Sequence, residues 1–375
     1  MQAVAGVVQK RFDLLEKRME QENLDAVIVY GRGMVTQYGY LYYFANYYPI
    51  LRPGFVIKVK GEEPIAFYTT RADYYLAKER GSIEDVRYAG IGDVVDSKNG
   101  IMEQISSLLN EKELENIGIC GLNSLMSYAE ASYFKENLKG NVIDGTNLIQ
   151  EMKAVKFEEE HEQVRETFEI AELSFAEFEK HIAGGKTPAE IAAEVDKVAR
   201  AHGSISTLIF LEDGPYFLRK PTLTPLRQSG LLTAFAEIVG PNGSWVEKGG
   251  LFALGKLTKE EEEIGNACVA AMYAVKEAIR PGIKVSELAR IITEKTEHLN
   301  VNPGIWHGHG VGVDHDSPII REDSDAVIEP GMVISVHPNF SNQEETIGAS
   351  LADVFLIHED RAESLSKRSY DITYL

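Results

Sequence analysis

Apolar residues at Phe12, Leu15 and Met19 recur at the three-to-four-residue spacing of an amphipathic helix. The run Ala26–Tyr30 that follows is short, continuous and apolar, which predicts a buried strand. Further strand-like runs are FVIKV at 55–59, PIAFYT at 64–69 and NIGIC at 116–120, with a helical stretch, MEQISSLLNEKE, at 102–113. Helix and strand periods that alternate in this way predict an α/β domain over residues 1–150.

The pattern then changes. EMKAVKFEEEHEQVRETFEIAELSFAEFEKHIAGG predicts one long amphipathic helix closing at Gly184–Gly185. TPAEIAAEVDKVARAHG opens on Thr187, with Pro188 in the first turn and Glu190 three residues on, a capping box whose helix stops at Gly203. Two more helices are expected at about 258–279 and 285–299. The acids at 260–263 fit a solvated helix start favoured by the macrodipole. Around these lie the strand-like runs STLIFL, LLTAFAEIV, SWVEKGGLFAL, MVISVHPNF and LADVFLI. Helices followed by strands that pair at a distance predict an α+β layer with a curved antiparallel sheet over residues 151–375.

Length and charge narrow the classes. A chain of 375 residues is long for one core, in agreement with two domains. A net charge of −20 repels phosphate backbones and argues against nucleic acid as a partner. No apolar run reaches the ~18–20 residues of a membrane span, and MQAVAGVVQKRF has no signal-peptide core. Cys120 and Cys268 form no CxxC pair and sit in apolar or helical contexts, the pattern of buried thiols in a cytoplasmic protein.

The candidate chemistry concentrates in GIWHGHGVGVDHDSP at 304–318, which holds His307, His309 and His315 beside Asp314 and Asp316; His337 follows in VISVHPNF. In a strand, period two places His307 and His309 on one side, and glycines 308, 310 and 312 admit a close backbone or ligand. An imidazole near its unperturbed pKa of ~6.5 suits proton transfer at neutral pH.

EMKAVKFEEEHEQVRETFEIAE, AGGKTPAEIAAEV, IRPGIKVSELA, GHGVGVDHDSP and REDSDAVIEPGMVISVHP together resemble the creatinase/prolidase/aminopeptidase P family. The resemblance implies the pita-bread fold: a smaller α/β creatinase-type domain followed by an α+β catalytic half. It also implies a homodimer whose N-terminal domain reaches over the other subunit's site, which makes Arg52 a candidate substrate contact. Peptidases of the family hold two ions with two aspartates, a histidine and two glutamates. Aligned here, those positions become Ala236 (or, after a one-residue slip, Glu237), Glu247, His309, His337 and Ala352, with Asp353 adjacent.

So depleted a carboxylate set implies too little negative charge for two cations. The preferred expectation is therefore a metal-independent, creatinase-like hydrolase of a small amide-, amidine- or urea-like C–N bond. In it His309 carries the proton, Glu247 or Asp353 orients it or receives a cation, and His337 and His315 line the pocket with His307 beside them. Arg219, in GPYFLRKPTLTPLR, would hold a substrate carboxylate through its planar fork. One alternative is a mononuclear Xaa-Pro peptidase-like hydrolase with one divalent ion (Zn, Fe or Mn) on Glu247, His309 and His337, the two-imidazole, one-carboxylate set of such sites. Another is a catalytically silent binding protein on the same fold.

Overall fold

The N-terminal alternation of periods builds a single mixed sheet. The computed structural model describes residues 2–33, 39–50, 52–90, 100–215 and 218–375, and two compact units divide the chain, Met1–Lys153 and Ala154–Leu375. The first runs α1 (Gln2–Gln21), β1 (Ala26–Gly31), α2 (Gly39–Ala45), β2 (Gly54–Val59), β3 (Ile65–Tyr68), α3 (Arg71–Arg80), β4 (Asp85–Tyr88), α4 (Gly100–Asn110), β5 (Asn116–Cys120), α5 (Tyr128–Asn137), β6 (Asn141–Asp144) and α6 (Thr146–Ala154). Its six strands lie in the order β4-β3-β2-β1-β5-β6. β1 and β2 are buried at every position, which is why they read as continuous apolar runs rather than as alternating ones.

The second unit runs α7 (Glu158–His181), α8 (Pro188–Ala201), β7 (Ser206–Glu212), β8 (Gly230–Val239), β9 (Trp245–Leu254), α9 (Lys259–Ala278) and α10 (Val285–Glu294). Shorter strands complete it: β10 (Val301–Pro303), β11 (Gly308–Val311), β12 (His315–Ile319), β13 (Val333–Val336), β14 (Asn339–Asn342), β15 (Gly348–Ser350), β16 (Asp353–Ile357), β17 (Ala362–Ser364) and β18 (Thr373–Tyr374). They form sheets β18-β9-β8-β7, β12-β11-β13-β16-β17 and β10-β14-β15. A bridge between Gly249 and Ala352 links the first two.

Helices cover the sheets on two sides. α7 and α8 pack Val164, Phe168, Phe175 and Val195 against Leu232, Ala234, Ala236 and Ile238 of β8. α9 and α10 pack Cys268, Met272, Leu288 and Ile292 against Leu231, Leu251, Ile334 and Val336. Thr187 closes the expected capping box with Glu190, and Thr258 forms another with Glu261; each such cap contributes about 1 kcal/mol. No helix among the described residues is long and apolar enough to cross a membrane.

Two helices depart from expectation. The long helix predicted from residue 151 is broken: α6 ends at Ala154 and α7 begins at Glu158. Val155 bridges Met332, the Lys156 amide donates to Gly331 O at 2.9 Å, and the Lys156 ammonium pairs with buried Asp316 at 2.9 Å. Those tertiary partners hold three residues extended where local propensity favours a helix. α10 ends at Glu294, short of 299; Thr296 Oγ1 donates to Thr293 O instead, a local bond that competes with the helix.

Candidate active site

Two antiparallel strands start the site. In the β8–β9 hairpin Glu237 faces Glu247 directly across the ladder, so both carboxylates point to one side of the sheet. Ala236 points to the other side and packs in the core under α7 and α8. The slipped register is thus the one the protein adopts, and an acid, not an alanine, stands opposite Glu247.

The glycines of GHGVG bring the next strands close. A Cβ at Gly308 would meet Ser335 O at 2.3 Å, and one at Gly310 would meet Ser317 O at 2.3 Å. β11 consequently lies tight between β12 and β13. His309 then projects its Nε2 to 3.3 Å from Glu247 Oε1. Its Nδ1 lies 2.9 Å from Gly310 O; a carbonyl only accepts, so Nδ1 carries a proton and the lone pair of the neutral ring falls on Nε2. His337, one residue past β13, places Nε2 at 3.8 Å from Glu247 Oε2. His315, at the start of β12, places Nε2 at 3.2 Å from Glu247 Oε1 and 3.7 Å from Glu237 Oε2. A register shift in the β11–β12 ladder lies between His309 and Gly310, and the Trp245 ring packs on His315 at 4.6 Å.

Glu247 is the hub. It is buried, and Ser335 Oγ donates to its Oε2 at 2.6 Å. Burial works against its charge, yet His309, His315 and His337 hold its carboxyl well below the usual carboxylate range. Glu237 is pushed well above that range by burial and by the facing Glu247, and its Oε2 has no hydrogen-bond partner. Burial opposes charge on His309 too, but Glu247 raises it. Burial lowers His337 to about 3, with Glu247 acting the other way.

Among the described residues, two groups offer ligand atoms within 4.8 Å of one another: Glu247, His309 and His337, and Glu237, Glu247 and His315. Both share Glu247. The donor chemistry fits a divalent cation: buried carboxylates supply charge, imidazoles supply lone pairs once they give up a proton, and Glu237 Oε2 accepts no hydrogen bond. Cation binding here would displace protons from the acids and rings.

The remaining expected residues are not part of these groups. His307 precedes β11, and the backbone turns at Gly308 with φ +147°, a conformation that suits glycine. Period two therefore fails at this point. The His307 ring packs toward Phe340, 6.0 Å between centroids, and burial alone lowers it to about 4. Asp353 lies in β16 and its carboxylate is taken by Ser364 Oγ at 2.6 Å, Tyr370 OH at 2.5 Å and the amides of Val354 and Ser366. It is turned away from Glu247 and holds the fold. Ala352 instead packs with Phe210 and Phe235, an apolar wall. Arg219 is exposed in the segment after β7, and Arg52 is exposed in the N-terminal unit. Asp314 accepts from the His315 amide at 2.7 Å, and Asp316 is committed to Lys156. Ser335, Trp245 and Trp306 were not singled out by sequence; the tryptophans' places beside His-rich and Glu-bearing strands were the available clue.

Residues 162–359 match the family described as Metallopeptidase family M24, and residues 11–155 match the Creatinase/Prolidase N-terminal domain. The chain belongs to the creatinase/prolidase/aminopeptidase P family of hydrolases. A Xaa-Pro dipeptidase of Pyrococcus furiosus is 24% identical over 390 aligned positions, covering 97% of this chain and 100% of the relative. A prolidase structure from Pyrococcus furiosus superposes with a TM-score of 0.76 at 23% identity, covering 94% of this chain and 99% of that one. An X-Pro aminopeptidase structure from Thermotoga maritima superposes with a TM-score of 0.80 at 18% identity, covering 96% and 98%. At those identities the structural likeness establishes the α+β pita-bread fold with its N-terminal α/β unit.

The expectation of a metal-independent, creatinase-like site is overturned. The catalytic half matches a metallopeptidase family, and the side chains assemble into carboxylate–imidazole groups suited to a cation. The charge argument spoke only against two ions; what it left aside was Glu237, which faces Glu247 and gives the cluster a second carboxylate beside a single ion.

Proposed function

We propose that this chain is a divalent-metal-dependent hydrolase of the C–N bond in small peptides, of the Xaa-Pro dipeptidase type, holding its ion on Glu247, His309 and His337. The observation that carries the proposal is the convergence of those three buried side chains on one point, with the His309 tautomer set by Gly310 O. Two imidazoles and a carboxylate match mononuclear zinc and ferrous sites, which leave a position open for water or substrate. A bound ion supplies Lewis-acid polarisation of a carbonyl and a water of lowered pKa. The chain's own residues do the rest. Ser335 fixes the Glu247 carboxylate by its 2.6 Å bond. Glu237, opposite Glu247 and within 3.7 Å of His315 Nε2, is placed to accept a proton from the nucleophile and pass it on. The Trp306 and Phe235 rings flank His337 and exclude water from that side.

The peptide substrate class rests on the names of the relatives and the family match. A homodimer and a cytoplasmic setting belong to the same proposal, the second supported by two buried, unpaired cysteines.

The test is chelation followed by calorimetric titration with Zn²⁺ or Mn²⁺, with turnover of Xaa-Pro dipeptides measured in parallel. One tight equivalent per chain and recovery of hydrolysis on reloading are expected. A second, weaker equivalent would place an ion on Glu237, Glu247 and His315. Absence of any binding, or hydrolysis unchanged after chelation, would sink the proposal.

A further inference from the structure

The strand that delivers His315 hangs on a short ladder. Among the described residues β12 ends its sheet, in the order β12-β11-β13-β16-β17, and its pairing with β11 shifts register between His309 and Gly310. Beyond the shift, the pairs Gly310–Asp316 and Val311–His315 carry the hairpin to its tip, and Pro318 within the strand has no amide to donate. A one-residue slip in a strand turns every side chain to the other face. Between His315 and Asp316, such a slip would exchange an imidazole for a carboxylate beside Glu247.

A buried ion pair occupies the far face of β12. Lys156 Nζ donates to Asp316 Oδ2 at 2.9 Å, both side chains being 2% exposed, and to Ala154 O at 3.2 Å. The lysine is itself fixed: its amide donates to Gly331 O at 2.9 Å, and the Gly331 amide donates to Ile357 O at 2.8 Å. Gly312 at the hairpin tip makes room for the pair, since a Cβ there would meet Lys156 Cε and Asp316 Oδ2, each at 2.8 Å. On the near face His315 Nε2 stands 3.2 Å from Glu247 Oε1, with the Trp245 ring packed on the imidazole. Desolvation takes back most of what a buried ion pair gains by attraction, so the pair is weak evidence of stability. Specifying one register is a better-attested use.

We infer that the Lys156–Asp316 pair sets the register of β12, capturing the acid on the far face so that His315 is the side chain presented to Glu247 and Glu237. Lys156 is a positioning residue in this arrangement, because it acts on the site through Asp316 and the strand. The inference rests on the proposed hydrolysis only for its bearing on catalysis, and its geometry stands apart from that reading.

The experiment uses the full chain carrying Trp306→Phe, which leaves Trp245 as the sole tryptophan. Contact with the His315 ring quenches Trp245 emission, and His315→Leu supplies the unquenched limit. Lys156→Met combined with Asp316→Leu removes the pair without stranding a charge, so denaturant melts should show equal or higher stability. Emission of this double variant should nevertheless move at least half-way to the His315→Leu value. Its hydrolysis of an Ala-Pro dipeptide should fall about tenfold, the size of effect seen when a ligand loses an outer partner. Lys156→Gln combined with Asp316→Asn keeps a hydrogen bond across the same space and should restore both readings. Unmoved emission in the folded Met and Leu variant overturns the inference. Loss of folding in that variant overturns it too, since the pair would then hold the fold and not the ring. Shifted emission in a chain that hydrolyses no dipeptide removes the proposed reaction alone, whereas turnover with unmoved emission removes the positioning role alone.

Discussion

Glu247 and Asp353 are both fully buried acids on neighbouring strands of the catalytic half, yet they answer to different chemistry. Asp353 is enclosed by two hydroxyls and two backbone amides, all four placed to donate to it. Burial raises its pKa despite those bonds, and no lone pair remains aimed at open space. Glu247 is surrounded by three imidazoles and a single hydroxyl, groups that can surrender a proton and turn a lone pair to a cation. A buried carboxylate is a structural strut or a ligand according to whether its partners can change protonation.

That contrast breaks most sharply at Glu247. Glu247→Gln is expected to weaken cation binding by at least about a hundredfold, more than the loss of an outer partner of a ligand, and to abolish hydrolysis; titration calorimetry and a dipeptide assay check it. A variant that keeps the full metal equivalent would erase the distinction. Asp353→Asn should do the opposite: metal stoichiometry unchanged, with stability lower by about 1–3 kcal/mol because the new amide sets a donor against donors. Denaturant melts read the stability term, and loss of metal without loss of stability would put Asp353 back in the site. The smallest effect concerns a third acid, Glu363, at the surface. Its pair with Arg165 at 2.8 Å lowers it to about 2, against burial and with help from His358. A depressed folded pKa contributes stability above the unfolded value of ~4.3 and loses it as pH falls toward 2. Glu363→Gln should therefore lower stability at pH 7 by less than ~1 kcal/mol, given solvent screening, with the difference closing between pH 4.5 and 2. An equal gap at both pH values would remove the pair as its cause.

Helix starts were legible where the chemistry is local. Thr187 with Glu190, and Thr258 with Glu261, carry their own caps within three residues. The family frame was legible for the same reason, since EPGMVIS and GHGVG are contiguous. Failures fell where distant segments decide. The helix through Val155 broke on Met332 and Gly331. His307 left the face of His309 because Gly308 accepts a backbone angle that period two does not anticipate. Ala236 or Glu237 could not be chosen from spacing, since a one-residue slip exchanges the two faces of a strand.

Local order thus determined which segments coil or extend, and which residue types, acids and imidazoles, the catalytic half has to work with. Only the tertiary structure decided that Glu237, Glu247, His309, His315, Ser335 and His337 meet while Asp353 turns aside. The reason is geometric: those residues sit on β8, β9 and on or beside β11, β12 and β13, and the pairing register of strands so far apart in sequence depends on the packing of the whole sheet rather than on any neighbour along the chain.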